Sequence, residues 1–266
     1  MVAAASVHSD QQHKLTLYLG GSNAAGYLGD LLKQALQKTG HDVEVVTRGS
    51  IPTTRLERML SEGTISVMML GETSLRNRDF LPIRVDMTNN LVNHRILLVP
   101  KSDQDAYLGI RTLTDLIELQ KVAGVGSSWR DYGIWNANRL PVVAIDGDWK
   151  RLYKMVASGN RGIDYLPRGA HEIVTEWPHY PELSVEPSLV LVYDSDHILY
   201  VSPKLPELHA ILTHALVQAE QSGLLAAIAY THFHTVFKPP INLHTRRVIR
   251  LEVDEPAMSR EPLATR

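Results

Sequence analysis

Leu15–Gly40, LTLYLGGSNAAGYLGDLLKQALQKTG, carries the pattern on which the fold reading turns. Leu15, Leu17 and Leu19 alternate, which is the period of a strand with one buried face. Gly20-Gly21-Ser22-Asn23 then turns the chain, and Leu28, Leu31, Leu32, Ala35 and Leu36 recur at helical spacing until Gly40 supplies the stop. One strand, one turn and one helix are the first half of an α/β unit.

The next cycle repeats the order. Val43 to Val46 reads as a strand, Leu56, Met59 and Leu60 as a helix, Gly63 as its stop, and Ile65 to Leu70 as a buried strand. Strands alternating with helices predict a largely parallel sheet. The pattern restarts after the apolar run Ile96 to Val99, which Pro100 ends. Leu113, Leu116 and Ile117 make a short helical face, Val122 to Val125 a strand, and Ser128 is placed to cap a helix carrying Ile134 and Trp135. Val142 to Ile145 and Ile163 to Leu166 are further strands, separated by a helix at Trp149, Leu152, Tyr153 and Val156. From Leu189 to Val201 two apolar runs flank Asp194-Ser195-Asp196. A long helix follows, with Pro206 in its first turn and Leu208, Ile211, Leu212, Ala215, Leu216 and Ala219 on one face. Gly223 interrupts it before Leu224 to Tyr230 resumes.

Composition bounds the function. The 266 residues are 44% hydrophobic, enough for genuine cores. Lys plus Arg number 27 against 29 Asp plus Glu, so a net charge of −2 gives no general attraction to nucleic acid or anionic membranes. With no cysteine there are no disulfides, thiolate metal sites or cysteine nucleophile. No apolar run approaches the roughly 20 residues that span a bilayer. Met1-Val2-Ala3-Ala4-Ala5-Ser6 has the small residues of a cleavage site without the charged and apolar regions of a signal peptide. Residues 1–13 and 251–266 read as flexible ends.

Three phrases, GTISVMMLGETSLRNRDFLPIRV (63–85), RTLTDLIELQKVAGVGSSWRD (111–131) and LVYDSDHILYVSPKLPELHAILTHALVQAEQSGLLAAI (191–228), taken in this order, resemble the type II periplasmic binding proteins of polar amino acid ABC transporters, solute-binding protein family 3. The resemblance covers nearly all of Lys14 to Phe233. It implies a two-lobed α/β fold in which each lobe is a mixed, mainly parallel sheet flanked by helices. Lobe 1 would comprise 14–98 and 195–250 and lobe 2 99–194, with hinge crossings at Leu98–Lys101 and Val192–Asp196. It also implies that Thr73 and Arg76 meet a ligand carboxylate. Where amino acid binders of that family carry an acidic residue beyond the lobe 2 strand, this chain has Arg168 and Gly169, so an ordinary α-amino acid is not the expected ligand.

Ligands of open α/β sheets bind beyond the carboxyl ends of the strands. By position the candidates are Ser22, Asn23 and Tyr27 after the first strand, Arg48 after the second, and Thr73 and Arg76 after the third. In lobe 2 they are Ser127, Ser128, Trp129, Arg130 and Asp131, with Tyr165 and Arg168. Arg76 can grip a carboxylate through two parallel hydrogen bonds; its alternative is pairing with Glu72 or Asp79. Ser127 and Ser128 offer hydroxyls at a helix start, or an ordinary cap. Trp129 is a stacking platform or core. Arg168 either faces an anionic ligand or turns to Glu172.

The 12 histidines, including His232, His234 and His244, have no metal-ligand spacing, and His171-Glu172 is not HExxH because Thr175 ends it. No GxSxG, P-loop or GxGxxG motif occurs. The expectation is a monomeric, periplasmic, non-enzymatic solute-binding protein without cofactor. It would capture a small polar or anionic ligand, amino-acid-like or an organic acid, for an ABC transporter permease. The alternatives are a ligand-sensing domain serving a membrane sensor, or a dehydratase-like enzyme on the same fold.

Overall fold

A computed structural model describes residues 15–20, 25–48 and 51–253. The chain begins with β1 (Leu15–Gly20), α1 (Ala25–Lys38), β2 (Val43–Arg48), α2 (Thr53–Glu62), β3 (Val67–Gly71), α3 (Ser74–Asp79) and β4 (Leu81–Ile83). It continues through β5 (His94–Pro100), α4 (Leu113–Glu118), β6 (Ala123–Gly126), α5 (Asp131–Ala137), β7 (Val142–Ile145), α6 (Arg151–Ala157), β8 (Leu166–Gly169), α7 (Ala170–Glu176), β9 (Leu183–Val185) and β10 (Leu189–Val192). It ends with β11 (His197–Val201), α8 (Pro206–Gln221), α9 (Leu224–Phe233) and β12 (Arg247–Arg250).

The first sheet has the order β2-β1-β3-β11-β4. β1 runs parallel to β2 and β3, and β11 antiparallel to β3 and β4. Leu17 and Leu19 lie in one apolar cluster with Leu31, Leu32, Leu212 and Leu216, so α1, α8 and α9 cover one face. Tyr18, between those leucines, packs on a separate cluster of Leu56, Leu60, Met68 and Tyr200. The alternation read from the sequence is therefore a division between two faces. Gly63 ends α2 at φ 79°, a left-handed cap suited to glycine, and its N–H is donated to the Leu60 carbonyl.

The second sheet is β12-β10-β5-β8, with β9 also on β5. The parallel pair β6-β7 joins it through a bridge between Ala123 and Tyr165. It is mixed: central β5 is antiparallel to β8, β9 and β10. Leu97, Val99, Leu189 and Leu191 pack with Tyr107, Trp135 and Tyr165 on one face. Ile96, Leu98 and Val190 face Leu152 and Val156 in the other cluster. Both faces are covered, which is why Ile96 to Val99 is continuously apolar rather than alternating.

Two passages run side by side between the sheets, and a third, after α9, leads the chain to β12 in the second sheet. The second is Tyr193–Asp196, within the stretch Val192–Asp196 named above. The first lies at Asp86–Asn93 instead of Leu98–Lys101, because β5 is inside the second sheet from its first residues: Arg95 pairs with Gly169 on one side and Leu191 on the other. Asn89 and Asn90, at φ 50° and 65°, make the bend, using the residue type that best tolerates left-handed backbone after glycine. Asp196, 5% exposed, clasps the passages together. Its Oδ1 accepts from Thr88 Oγ1 at 2.6 Å and His197 N at 2.6 Å, and its Oδ2 from Asn90 N at 2.8 Å.

The chain's end differs from expectation too. β12 returns to the second sheet, parallel to β10, so residues 247–250 do not belong with the first sheet. Arg246 anchors this return with carbonyl bonds to Glu186 and Leu189. Leu251, expected in a flexible end, is buried and donates its N–H to Val192 O at 2.8 Å. Glu252 is likewise tied down, its N–H donated to Asn138 Oδ1 at 2.9 Å, while the expected arm, residues 1–13, and residues 254–266 lie outside the described residues.

Candidate functional site

A cavity of ≈ 200 Å³ opens between the sheets and is bounded by both of them and by the second hinge passage. Its first-sheet wall is mainly apolar, with Leu19, Leu28, Leu56, Met68, Met69 and Leu70, and also carries Thr53 and Arg76. The opposite wall carries Trp129, Asp131, Trp149, Arg168 and Glu172, with Arg95, His171, Tyr193 and His197 at the hinge.

Apart from Arg130, the charges on that second wall form one network. Arg95, 6% exposed, donates Nη2 at 3.1 Å to Asp131 Oδ2 and Nη1 at 3.5 Å to Glu172, with its Nε 2.8 Å from Asp131 Oδ1 as an ion pair. Tyr193 Oη accepts from Arg95 Nε at 2.5 Å and donates to Asp131 at 2.7 Å. Arg168, 4% exposed, reaches Glu172 at 2.9 Å and Glu176 at 2.6 and 2.7 Å. Its guanidinium also lies 4.8 Å from the Trp129 ring and 4.6 Å from the Trp149 ring. Burial pushes the Glu172 carboxyl up, but Arg168, His171 and Arg95 outweigh it and leave it at about 2. Burial also disfavours the charged Arg168, yet Glu172 and Glu176 hold its pKa well above the usual value. Glu172 and Arg168 are thus both ionised at neutral pH.

His171 on α7 and His197 on β11 meet edge to face at 6.2 Å between centroids. Burial lowers their pKa values to about 4 and about 3, so both rings are neutral at pH 7. The Nδ1 atom of each is buried without a hydrogen-bond partner.

The sequence-derived positions divide. Arg76, Ser128, Trp129, Arg130, Asp131 and Arg168 line the cavity. Arg76 is already gripped: Glu57 accepts from its Nε and Nη2 at 2.9 Å each, and the Gly71 carbonyl from Nη1. Its partner is therefore Glu57 rather than Glu72 or Asp79. Arg168 turns to Glu172, with Glu176 added, and Trp129 stacks on Arg168. Gly126 makes room for that indole, since a Cβ there would fall 2.7 Å from Trp129 Nε1.

The remaining positions stand off the cavity. Thr73 caps α3, its Oγ1 accepting from Arg76 N at 3.2 Å. Arg48 is exposed beside the Tyr18 ring. Tyr27 is buried, donating to Met87 O at 2.6 Å, and lines a neighbouring outer recess. Tyr165 is in the second core, accepting from Trp135 Nε1. Ser127 donates its N–H to Ile145 O, and α5 starts at Asp131 with Arg130 as cap, so neither serine caps that helix. Ser22 and Asn23 lie outside the described residues. Arg95, Trp149, His171, Glu172, Tyr193 and His197 were missed. The available signal was a charged or polar residue at the border of an apolar run, as Arg95 stands before Ile96 and His197 before Ile198.

No protein-family model and no curated protein matches the chain. Solved structures do. An amino acid ABC transporter substrate-binding protein from Streptococcus pneumoniae, bound to L-arginine, aligns with a TM-score of 0.59 at 12% identity, over 82% of this chain and 94% of that one. The fold is that of the type II solute-binding proteins. An ancestral arginine-binding protein bound to arginine gives 0.58 at 17% identity over 82% and 98%. A Salmonella typhimurium periplasmic binding protein of high arginine specificity gives 0.55 at 13% over 82% and 99%. In this type II fold the cavity above lies in the cleft between two lobes. Among the described residues no helix is long and apolar enough to cross a membrane, and no cluster of three metal-ligating side chains occurs.

Proposed function

We propose that this chain is the solute-binding component of an ABC transporter, acting outside the cytoplasm as a monomer that captures a small polar or anionic ligand between its lobes. One lobe is built around the first sheet and the other around the second, with Asp86–Asn93 and Tyr193–Asp196 as the hinge. The observation that carries the reading is the cavity bounded by both sheets and the hinge, on a fold whose solved examples include ABC transporter binding proteins. Contacts to two walls at once exist only when the cleft is shut, so binding shifts the population toward the closed form. Arg130 already bridges the walls, its Nη1 donating to the Glu72 carbonyl at 3.0 Å.

The charge network favours binding over catalysis. A general acid or base works best with a pKa near the operating pH. Glu172 sits at about 2 and is bonded by Arg168, Arg95 and the Gly169 amide. Asp131 is filled by Arg95 and Tyr193.

Native mass spectrometry of the purified chain tests the function, with a co-purified small molecule as the expected result. Small-angle scattering should then show a smaller radius of gyration with that molecule than after its removal. An unchanged profile at saturation would rule out the closing mechanism.

A further inference from the structure

From the charge pairing across the cleft, we infer that the ligand is an organic acid with an apolar body and no ammonium group, and that Arg130 binds its anionic end. This rests on the solute-binding reading and names the class of solute.

Four arginines line the cavity, and their states differ. Arg76 is gripped by Glu57, Arg95 by Asp131 and Glu172, and Arg168 by Glu172 and Glu176. Among the described residues, Arg130 is the lining arginine with no carboxylate partner. Among the described residues its guanidinium makes one hydrogen bond, Nη1 to the Glu72 carbonyl, which leaves further N–H donors for a ligand. A half-buried cation in a closing cleft is stabilised by an anion that arrives with the ligand.

The same accounting excludes an ammonium. The carboxylates of the lining, Asp131 and Glu172, are each engaged by an arginine and a second donor. To hold an ammonium, either would have to release a buried arginine, which leaves that arginine uncompensated. The hinge histidines are neutral and supply no anion. The body of the ligand meets the other wall, where Leu19, Leu28, Leu56, Met68, Met69 and Leu70 offer apolar surface and the charge of Arg76 is already held by Glu57. A planar or branched hydrocarbon body fits this wall, whereas a small, wholly hydrated anion would leave it wet.

Calorimetric titration of the full chain with isocaproate, isocaproamide, L-leucine and inorganic phosphate separates these features. The first three share one apolar body and differ in the anion or the added ammonium; phosphate has charge and no body. Isocaproate should bind at least about tenfold more tightly than each of the others. Arg130→Gln should weaken the acid at least about tenfold more than the amide and so remove the preference for acid over amide, and Arg130→Lys should restore part of it. Loss of the Glu72 bridge alone would weaken acid and amide together, so an unchanged acid-to-amide ratio in Arg130→Gln refutes the assignment of Arg130. Tighter binding of L-leucine or of phosphate refutes the ligand class while a binding cleft stands. Binding of none of the four also overturns the class, and the co-purified molecule then decides the solute-binding reading separately.

Discussion

Replacing Arg168 by methionine strands the carboxylates of Glu172 and Glu176 and removes the cation from the faces of two indoles. Glu172 and Glu176 each lose their shortest ion-pair contact, at 2.9 and 2.6 Å. Glu172 lies at about 2 against an ordinary 4.5, a depression worth about 3 kcal/mol in favour of the folded state. Arg168 is the largest of the charges that cause it. The cation–π contacts with Trp129 and Trp149 add about 1 kcal/mol each, part of which the methionine recovers as apolar contact. Breaking one partner out of a buried pair typically costs about 3–5 kcal/mol, in line with that total.

The pH dependence has a definite sign. Because the folded pKa of Glu172 is depressed, its contribution is present above about 4.5 and is lost as pH falls toward 2. Arg168→Met removes that contribution, so the gap between wild type and variant should be widest near neutral pH and narrow as pH falls below 4.5. Urea unfolding followed by circular dichroism, at about pH 7.5 and about pH 3.5, measures both values. A loss under about 1 kcal/mol at neutral pH, or one that does not shrink in acid, would refute the network account. So would a variant of unchanged stability that had lost binding, because Arg168 would then face the ligand instead of Glu172 and Glu176.

Four further outcomes follow from the hinge and the second wall. Burial pushes the Asp196 carboxyl up to about 6, so carbon NMR of that group should titrate there, and a midpoint near 4 would contradict its burial. Asp196→Ala should speed hydrogen exchange at the Thr88, Asn90 and His197 amides that it accepts from, and unchanged protection there would contradict the clasp. His171 has a folded pKa of about 4 against 6.5 unfolded, so it withdraws stability as pH falls from 6.5, by about 2 kcal/mol at pH 5. His171→Phe, beside Phe233 at 5.3 Å, should lose less stability than wild type between pH 8 and pH 5 in urea unfolding; an equal loss would contradict a buried neutral ring. Gly126→Ala should displace Trp129 and cost about 1–3 kcal/mol, with altered tryptophan fluorescence; a variant of native stability and spectrum would show that the indole is not held there.

By itself the sequence determined the two sheets and most of their helices, because burial repeats at fixed spacing along a strand or helix. Leu15, Leu17 and Leu19 give the face of β1, and Ile96 to Val99 the doubly covered β5. It also placed Ser128 to Asp131 and Arg168 beside the cavity, since the ends of strands are readable from the same pattern. Tertiary structure alone decided where β5 and β12 belong, because an apolar strand fits either sheet and only its neighbours choose. It decided the charge partners as well. Arg76 meets Glu57, 19 residues earlier, and Arg95 meets Asp131, 36 residues later, at separations no local rule anticipates. An arginine next to a cleft looks free in sequence. Whether it faces a ligand or a carboxylate of its own chain depends on which side chains the fold brings within ion-pair distance.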